Sequence, residues 1–301
     1  MTAPEKLRRA IDWGELAPLR LRAREVAEGL YTGVHRSALR GAGVEFGGFR
    51  EYVPGDDLRW LDRRALLRHD RLVVRQFETE TDRALCLAVD ASASMGFRGA
   101  GAPADKIAFA GVVAAALARV ALASGDPVSL TFLAGAHAAP VGRAGGREQF
   151  ERVVSALEAV EPAGDAFVDL ALLDVPLRSL TRSARRGAIV VVLSDLLDWP
   201  DSAIDRVATL ASGGRILVVV QTLDWTELHF PFKGTVRLRS LEGAAVVETD
   251  GDLTRARYLA ALGSLTSRWK SGIVGRGGRF LQATTRDPAV GVVRDIIKAI
   301  R

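Results

Sequence analysis

L-C-L-A-V-D-A-S-A-S-M-G, residues 85–96, is the segment from which the architecture can be inferred. It begins as a continuous apolar run, which is typical of a strand whose two faces are both covered by helices. Asp90, Ser92 and Ser94 follow at the carboxyl end of that strand, where open α/β sheets place their ligand sites. Alternate residues of a tight loop can turn their oxygens toward one point, and oxygens are the ligands that Mg²⁺ prefers. The segment therefore predicts a buried strand that ends in a candidate metal site.

Similar apolar runs follow along the chain and alternate with helical patterns. The predicted strands cover residues 84–90, 128–133, 188–194, 216–222 and 279–283, and the predicted helices cover residues 104–124, 147–160, 170–182, 201–212, 253–270 and 290–300. This alternation is the signature of β-α units that build a mostly parallel sheet. Residues 231–248 predict an antiparallel hairpin at the edge of that sheet. The predicted fold class is therefore α/β, with a doubly wound and mostly parallel sheet.

The first part of the chain has a different pattern. Residues 15–30 predict a helix, and residues 44–53 and 71–77 predict shorter strands. With 301 residues, the chain is long enough for one large domain or for one domain with a smaller companion. We therefore divide it into an N-terminal extension, residues 1–82, and an α/β domain, residues 83–301.

A second acidic residue comes at the end of another predicted strand. Residues 188–194 lead directly into Asp195. The carboxyl ends of neighbouring parallel strands lie at the same edge of a sheet, so Asp90 and Asp195 can share one ion. At this point the sequence resembles the metal-ion-dependent adhesion site of von Willebrand factor A domains. Asp90, Ser92 and Ser94 match the first motif of that site, and Asp195 matches its last.

The resemblance implies a bound Mg²⁺ or Mn²⁺ and a protein partner. In that family the serines bind the metal directly, the aspartates often act through water, and a carboxylate of the partner completes the shell. The middle ligand of the family is a threonine, but G-D-A-F-V-D-L, residues 164–170, has Val168 at that position. Asp169 or Asp165 is the candidate replacement, and the added carboxylate would make the ion less attractive to an acidic partner. An occupied site and a metal-free site both stay open.

Other interpretations of the same residues stay open as well. Ser92 and Ser94 can instead cap the turn after the strand, and Asp195 can cap a following helix. In another class of protein, Asp90 and Asp195 would hold Mg²⁺ for hydrolysis, but the sequence shows no evident general base or nucleophile for that reaction. The expectation is therefore a non-enzymatic protein-interaction module, with a Mg²⁺-dependent hydrolase as the alternative.

A second motif lies upstream, in G-V-E-F-G-G-F-R-E-Y-V-P-G-D-D-L-R-W-L-D, residues 43–62. It resembles the signature of the bacterial domain of unknown function family 58, whose members join such a segment to a von Willebrand factor A-like domain. The matching residues are Glu45, Phe46, Arg50, Tyr52, Pro54, Gly55, Asp56, Asp57, Arg59 and Asp62. The Pro-Gly pair suits the centre of a type II turn, and the arginines and aspartates around it predict an ion-pair network. We interpret this motif as structural.

The same resemblance implies a partner. Proteins of this family are often encoded beside AAA+ ATPases of the MoxR type, so a MoxR-type ATPase is the expected partner in protein assembly or activation. The net charge of +5 comes from basic residues that are spread along the chain, which gives no support to nucleic-acid binding.

Three features predict the location of the chain. The one cysteine, Cys86, lies in an apolar run and indicates a reducing compartment. The amino terminus has basic residues but no apolar stretch behind them, so it predicts no signal peptide. Residues 107–123 are apolar but contain Arg119 and many alanines, which favours a core helix over a membrane span. The chain is therefore expected to be cytoplasmic and to lack a membrane span.

Overall fold

The structure is a computed structural model that describes residues 45–51, 73–78, 83–241 and 246–300. The described residues fall into two compact units that divide after residue 82. The predicted helix at residues 15–30 lies outside the described residues. The same is true of seven residues of the upstream motif, namely Tyr52, Pro54, Gly55, Asp56, Asp57, Arg59 and Asp62, whereas Glu45, Phe46 and Arg50 are described.

The smaller unit contains two described strands. β1 (Glu45–Glu51) and β2 (Val73–Glu78) pair antiparallel, and their register is irregular between Phe46 and Gly48. The sequence predicted these strands at residues 44–53 and 71–77, so both predictions are confirmed to within two residues at each end.

The larger unit is built on a six-stranded sheet. The strands that follow along the chain are β3 (Leu85–Asp90), β4 (Val128–Leu133), β5 (Val141–Ala144), β6 (Ile189–Ser194), β7 (Ile216–Leu223), β8 (Thr235–Arg239), β9 (Val246–Asp250) and β10 (Arg279–Thr284). The order across the main sheet is β10-β7-β6-β3-β4-β5. All neighbours pair in parallel except β4 and β5, which are antiparallel. β3, which leads into the D-x-S-x-S motif, therefore lies inside the sheet, between β4 and β6.

Helices cover both faces of this sheet. The described helices are α1 (Lys106–Ala123), α2 (Gly146–Ala159), α3 (Ala171–Ser183), α4 (Ser202–Ala208), α5 (Trp225–His229), α6 (Gly251–Gly275) and α7 (Ala289–Ile300). One core packs α1, α2 and α7 against Leu85, Leu87 and Val89, and the other packs α3, α4 and α6 against Cys86 and Ala88. Successive strand residues point to opposite faces, so two covered faces require the continuous apolar run of β3. The prediction of an α/β fold with a mostly parallel, helix-flanked sheet is confirmed.

One local prediction at the edges of the sheet is wrong, and one edge strand was not predicted. β8 and β9 pair with each other in a separate two-stranded sheet, so the predicted hairpin does not lie at the edge of the main sheet. β10 takes that edge, because it pairs with β7 along its whole length. The opposite edge strand, β5, is absent from the sequence prediction because its four residues are too few to show a period. Gln149 attaches it to the sheet, since its Nε2 donates to the carbonyl oxygens of Val128 and Gly142 at 2.8 and 2.7 Å.

Candidate functional site

The ends of β3 and β6 meet at the carboxyl edge of the sheet. The two strands pair in parallel, and Ser194 Oγ donates a hydrogen bond of 2.5 Å to Asp90 Oδ2. Asp90 Oδ1 accepts from the backbone N–H of Ser92 at 2.9 Å. Asp90 and Asp195 are both fully buried. The structure thus brings the two predicted aspartates to neighbouring positions at one edge.

The two predicted serines lie on the turn that follows β3. Ser92 immediately precedes a short 3₁₀ helix, Ala93–Gly96, and Ser94 lies within it. Both residues are buried, and their hydroxyl oxygens lie 3.0 Å apart. The side chain of Ser92 makes no capping hydrogen bond to this helix, so the capping role considered for Ser92 is not observed. We call residues 91–96 the serine turn.

A lysine that the sequence motifs do not include lies beside Asp195. Lys106 is the first residue of α1, and its side chain is completely buried. Its Nζ donates to Asp195 Oδ2 and to Glu227 Oε1, both at 2.6 Å. Asp195 Oδ1 accepts from the backbone N–H of Leu197 at 3.0 Å, so both oxygens of this carboxylate are used. The sequence signal that could have identified Lys106 is its position at the start of an apolar helix. A lysine buried at such a position needs acidic partners.

Glu227 is held in place by the short helix α5, which follows the end of β7. The helix begins with a capping box, in which Asp224 Oδ1 accepts from the Thr226 N–H at 2.7 Å and Glu227 Oε2 accepts from the Asp224 N–H at 2.8 Å. Glu227 thus uses one oxygen for its own helix and the other for Lys106. The sequence D-W-T-E, residues 224–227, carries the signal for this box and would have located Glu227.

Burial and charge set the protonation of this edge. Burial, together with the charge of Asp195, raises the pKa of Asp90 to about 7, although hydrogen bonds from two serines oppose the rise. Burial lowers the pKa of Lys106, but its two carboxylate partners outweigh that effect and raise the pKa above its ordinary value. Lys106 is therefore an ammonium ion at neutral pH, and its charge is compensated by the chain itself.

The position predicted for the middle metal ligand does not supply one. Val168 is 80% exposed, and its side chain has no oxygen. Asp169, the candidate replacement, is exposed, and its Oδ1 accepts from the backbone N–H of Ala171 at 3.0 Å. Asp165 likewise accepts from the N–H groups of Phe167 and Val168. Both carboxylates accept hydrogen bonds from backbone N–H groups of their own segment.

This loop, residues 164–170, begins next to the serine turn and exposes apolar side chains. The carbonyl of Gly164 accepts from the Ala93 N–H at 3.1 Å, which holds the start of the loop against the turn. Three large apolar side chains along the loop are exposed, namely Phe167 (72%), Val168 (80%) and Leu170 (40%). We call residues 164–170 the apolar loop.

The residues of the site fit a divalent ion only in part. The two serine oxygens, 3.0 Å apart, have the spacing of neighbouring ligands on an octahedral Mg²⁺, which is about 2.9 Å. The acidic ligand does not fit, because the Asp195 oxygens are bound to Lys106 and to the N–H of Leu197. Among the residues with described side chains, no group of three acidic, histidine or cysteine residues could hold a metal. The set as a whole does not fit the Mg²⁺ or Mn²⁺ that the resemblance implies.

Comparison with known sequences identifies a family but no activity. The pattern of the family described as "Protein of unknown function DUF58" matches residues 48–265. The uncharacterized proteins Mb1516 of Mycobacterium bovis and Rv1480 of Mycobacterium tuberculosis are each 30% identical to the chain over 251 residues, which cover 81% of this chain and 77% of theirs.

Solved structures also match parts of the chain. They include BatB from Bacteroides thetaiotaomicron, at 14% identity and a TM-score of 0.42, and an aerotolerance-related membrane protein from Bacteroides fragilis, at 16% and 0.44. Each of these matches covers 72% of this chain and 98% of the solved chain. An uncharacterized membrane-spanning protein from Vibrio fischeri matches 73% of this chain and 98% of its own, at 16% identity and a TM-score of 0.23.

These descriptions contradict the predicted cytoplasmic location and the predicted lack of a membrane span, and both predictions are withdrawn. Two of the three solved structures are described as membrane proteins. Within the described residues, α1 is long and apolar enough to cross a bilayer, and 72% of it is buried inside its unit. These relatives give no support to the predicted MoxR-type partner.

Proposed function

This chain belongs to the DUF58 family of proteins of unknown function, and we propose that it is a non-enzymatic protein-interaction module that binds a protein partner at the carboxyl edge of its sheet. The contact surface in this proposal is the apolar loop, together with the serine turn beside it. The buried ion pairs of Lys106 stabilise the strand ends that carry this surface.

The observation that carries the proposal is the exposure of several apolar side chains within one loop at this edge. Single exposed apolar residues are ordinary on a protein surface, but a contiguous group of them marks a contact site. Phe167 and Val168 are more exposed than most apolar residues of the larger unit, and they follow Gly164, which contacts the serine turn. Open α/β sheets bind their ligands outside the carboxyl ends of the strands, and the apolar loop lies at that edge.

The von Willebrand factor A-like assignment is part of this proposal. It is supported by the position of the D-x-S-x-S motif at the end of an inner strand and by the second aspartate at the end of the neighbouring strand. In the proposed function the metal-ion-dependent adhesion site is degenerate. Asp90, Ser92, Ser94 and Asp195 then shape the edge and take no part in a reaction.

The Mg²⁺-dependent hydrolase, the alternative from another class, would need an ion shared by Asp90 and Asp195. Lys106 already binds one oxygen of Asp195, and Ser194 binds one oxygen of Asp90. We therefore prefer the interaction module. Turnover of generic phosphate esters by the purified chain in the presence of Mg²⁺ would favour the hydrolase instead.

The apolar loop can be tested by placing charges on it. We expect the double variant Phe167→Asp/Val168→Asp to recover at least about tenfold less of the partner from extracts of the source organism than the unchanged chain does, because central apolar contacts carry much of the binding free energy. The measurement is quantitative mass spectrometry after affinity purification with the tagged full chain, and circular dichroism checks that the variant is folded.

Val274→Asp is the matched control for this experiment. Val274 is a half-exposed apolar residue on the last turn of α6. This turn leads to the first residue of β10, so it lies at the amino-terminal ends of the parallel strands, away from the carboxyl edge. The control is expected to recover the same proteins as the unchanged chain. Equal recovery by the double variant, or no protein recovered above a bait-free column by the unchanged chain, would contradict the proposed function.

A further inference from the structure

Among the described residues, the carboxyl edge of the sheet carries the carboxylates of Asp90, Asp195, Asp224 and Glu227 and one cation, Lys106, all of them buried or nearly so. Asp90 and Asp195 are fully buried, and the side chain of Glu227 is 12% exposed. Lys106 Nζ lies 2.6 Å from an oxygen of Asp195 and 2.6 Å from an oxygen of Glu227. Buried charges persist in proteins where an opposite charge compensates them. At this edge the compensating cation belongs to the chain itself.

We propose that Lys106 is a built-in counter-cation that makes this edge independent of divalent metal. The strand ends and the serine turn then keep their arrangement without Mg²⁺ or Mn²⁺. The consequence for binding rests on the proposed function: the partner is held by apolar contacts with the apolar loop, and it donates no carboxylate to a metal ion.

The acceptor oxygens at the edge support this inference, because each carboxylate oxygen of the two aspartates already has a donor. Asp90 accepts from the Ser92 N–H and the Ser194 hydroxyl, at 2.9 and 2.5 Å. Asp195 accepts from the Leu197 N–H and Lys106 Nζ, at 3.0 and 2.6 Å. A divalent ion would have to share these oxygens with the donors that they already bind, and at Asp195 one of those donors is the Lys106 ammonium.

The ammonium of Lys106 is also hard to displace. Its side chain is fully buried, and the ring of Phe97 lies 5.7 Å from Nζ. Its backbone is fixed at the first residue of α1, where the cap Asp105 accepts from the Ala108 N–H at 2.9 Å. An ion entering at Asp195 would face this buried cation at short range, and like charges repel strongly in an interior of low dielectric constant.

The first test measures metal binding by the full chain. We expect calorimetric titration with Mg²⁺ and with Mn²⁺ to show no saturable binding at this edge, and we expect the same Tm in EDTA and in Mg²⁺. Saturable binding that is abolished by Ser92→Ala or by Asp195→Asn would overturn the proposal. Binding that both variants retain takes place elsewhere and leaves this edge metal-free, as proposed.

The second test removes the ammonium with Lys106→Met, which keeps most of the side-chain length. We expect its Tm to fall by roughly 10 °C, because two acids lose their buried partner. Lys298→Met is the matched control, since Lys298 is exposed and pairs with Asp295 on the surface of α7, and its Tm is expected to stay unchanged. A Lys106→Met chain that melts like the unchanged protein would overturn the proposal.

The double variant Lys106→Met/Glu227→Gln addresses the case in which the single variant does not fold. It removes the ammonium together with one of the charges that it compensates, so its Tm is expected to lie above that of Lys106→Met. A Tm equal to or below that of the single variant would count against the counter-cation.

The two proposals fail separately. The metal tests use the isolated chain and need no partner, whereas the charged-loop experiment compares variants that all retain Lys106. Metal binding at the edge together with loss of the partner in Phe167→Asp/Val168→Asp would remove the counter-cation and keep the interaction module. If the chain binds no metal at the edge and that variant recovers the partner fully, the counter-cation is kept and the interaction module is lost.

Discussion

Lys106 is bound on two sides by acids from separate segments of the chain, Asp195 after β6 and Glu227 on α5. Exposed ion pairs such as Lys298–Asp295 contribute only about 0–1 kcal/mol to stability, because solvent screens them. Breaking a buried pair by removing one partner costs about 3–5 kcal/mol, because the remaining charge stays buried without compensation. At the residue scale, Lys106 is therefore the side chain at this edge whose loss has the largest expected effect.

Asp90 gives the protein a pH dependence of definite sign. The folded chain raises the pKa of Asp90 from 3.8 to about 7, so the folded state holds a proton in this range that the unfolded state has released. The contribution of Asp90 to the free energy of unfolding is therefore fully present below about pH 4 and is lost as the pH rises toward about 7. We expect Asp90→Asn to lose this part of the pH dependence.

The measurement is urea unfolding of the unchanged chain and of Asp90→Asn at about pH 5 and about pH 8. These two values lie below and above the pH at which folded Asp90 titrates. The free energy of unfolding of the unchanged chain is expected to fall more between these two conditions than that of Asp90→Asn. An equal fall in both proteins would show that other groups produce the pH dependence.

At the scale of elements, the short helix α5 and the loop before α1 are built against each other. α5 has only five residues, too few to be stable by itself. The backbone N–H of Gly99 donates to the carboxylate of Asp224, the cap of α5. A Cβ at Gly99 would lie 2.1 Å from Asp224 Oδ1 and 2.1 Å from Thr226 Oγ1. Gly99 is therefore required by this close approach.

Gly99→Ala tests this contact. We expect it to lower the free energy of unfolding by roughly 1–3 kcal/mol, because a well-packed contact must open to admit the methyl group. Gly263→Ala on α6 is the matched control: a Cβ at Gly263 meets no atom within 4 Å. The control is expected to raise stability by about 0.5–1 kcal/mol through its helix propensity. Urea unfolding measures both, and a Gly99→Ala chain as stable as the unchanged one would contradict the close approach.

At the scale of the whole molecule, the inner strands of the larger unit are expected to be more stable against local opening than its separate two-stranded sheet. β3, β6 and β7 each have a neighbour on both sides and are buried along almost their whole length, whereas β8 and β9 pair only with each other. We expect amide hydrogen exchange to be slowest in β3, β6 and β7 and fastest in β8 and β9, because local opening there breaks a single pairing. Mass spectrometry of exchange at neutral pH measures this. Equal protection of β3 and β8 would contradict it.

The strands of the main sheet could be predicted because their signal is local. The predicted bounds of β3, β4, β6, β7 and β10 lie within one residue of the observed ones. For β3 and β6 the reason is that a strand buried on both faces needs a continuous apolar run. The meeting of Asp90 and Asp195 at one edge also follows from such runs, because Asp90 ends one parallel strand and Asp195 directly follows its neighbour.

The centre of the site could not be predicted in the same way. Lys106 and Glu227 are 121 residues apart, and their contact depends on the order of the strands. The motif placed Val168 at the middle ligand position and offered Asp169 or Asp165 as its replacement, but a motif does not report that Asp169 accepts from the N–H of Ala171. The D-x-x-E capping box was a local signal that would have identified Glu227, although not its bond to Lys106.

The two oxygens of Glu227 are divided between two different segments, the start of α5 and the side chain that begins α1. If α5 unfolds locally, Lys106 loses its ion pair with Glu227. If Lys106 moves away, Glu227 keeps a charge that no cation compensates. Neither segment can therefore loosen without the other. Local opening at this end of the molecule is cooperative through one carboxylate, so a partner that pulls on either segment transmits its effect to both.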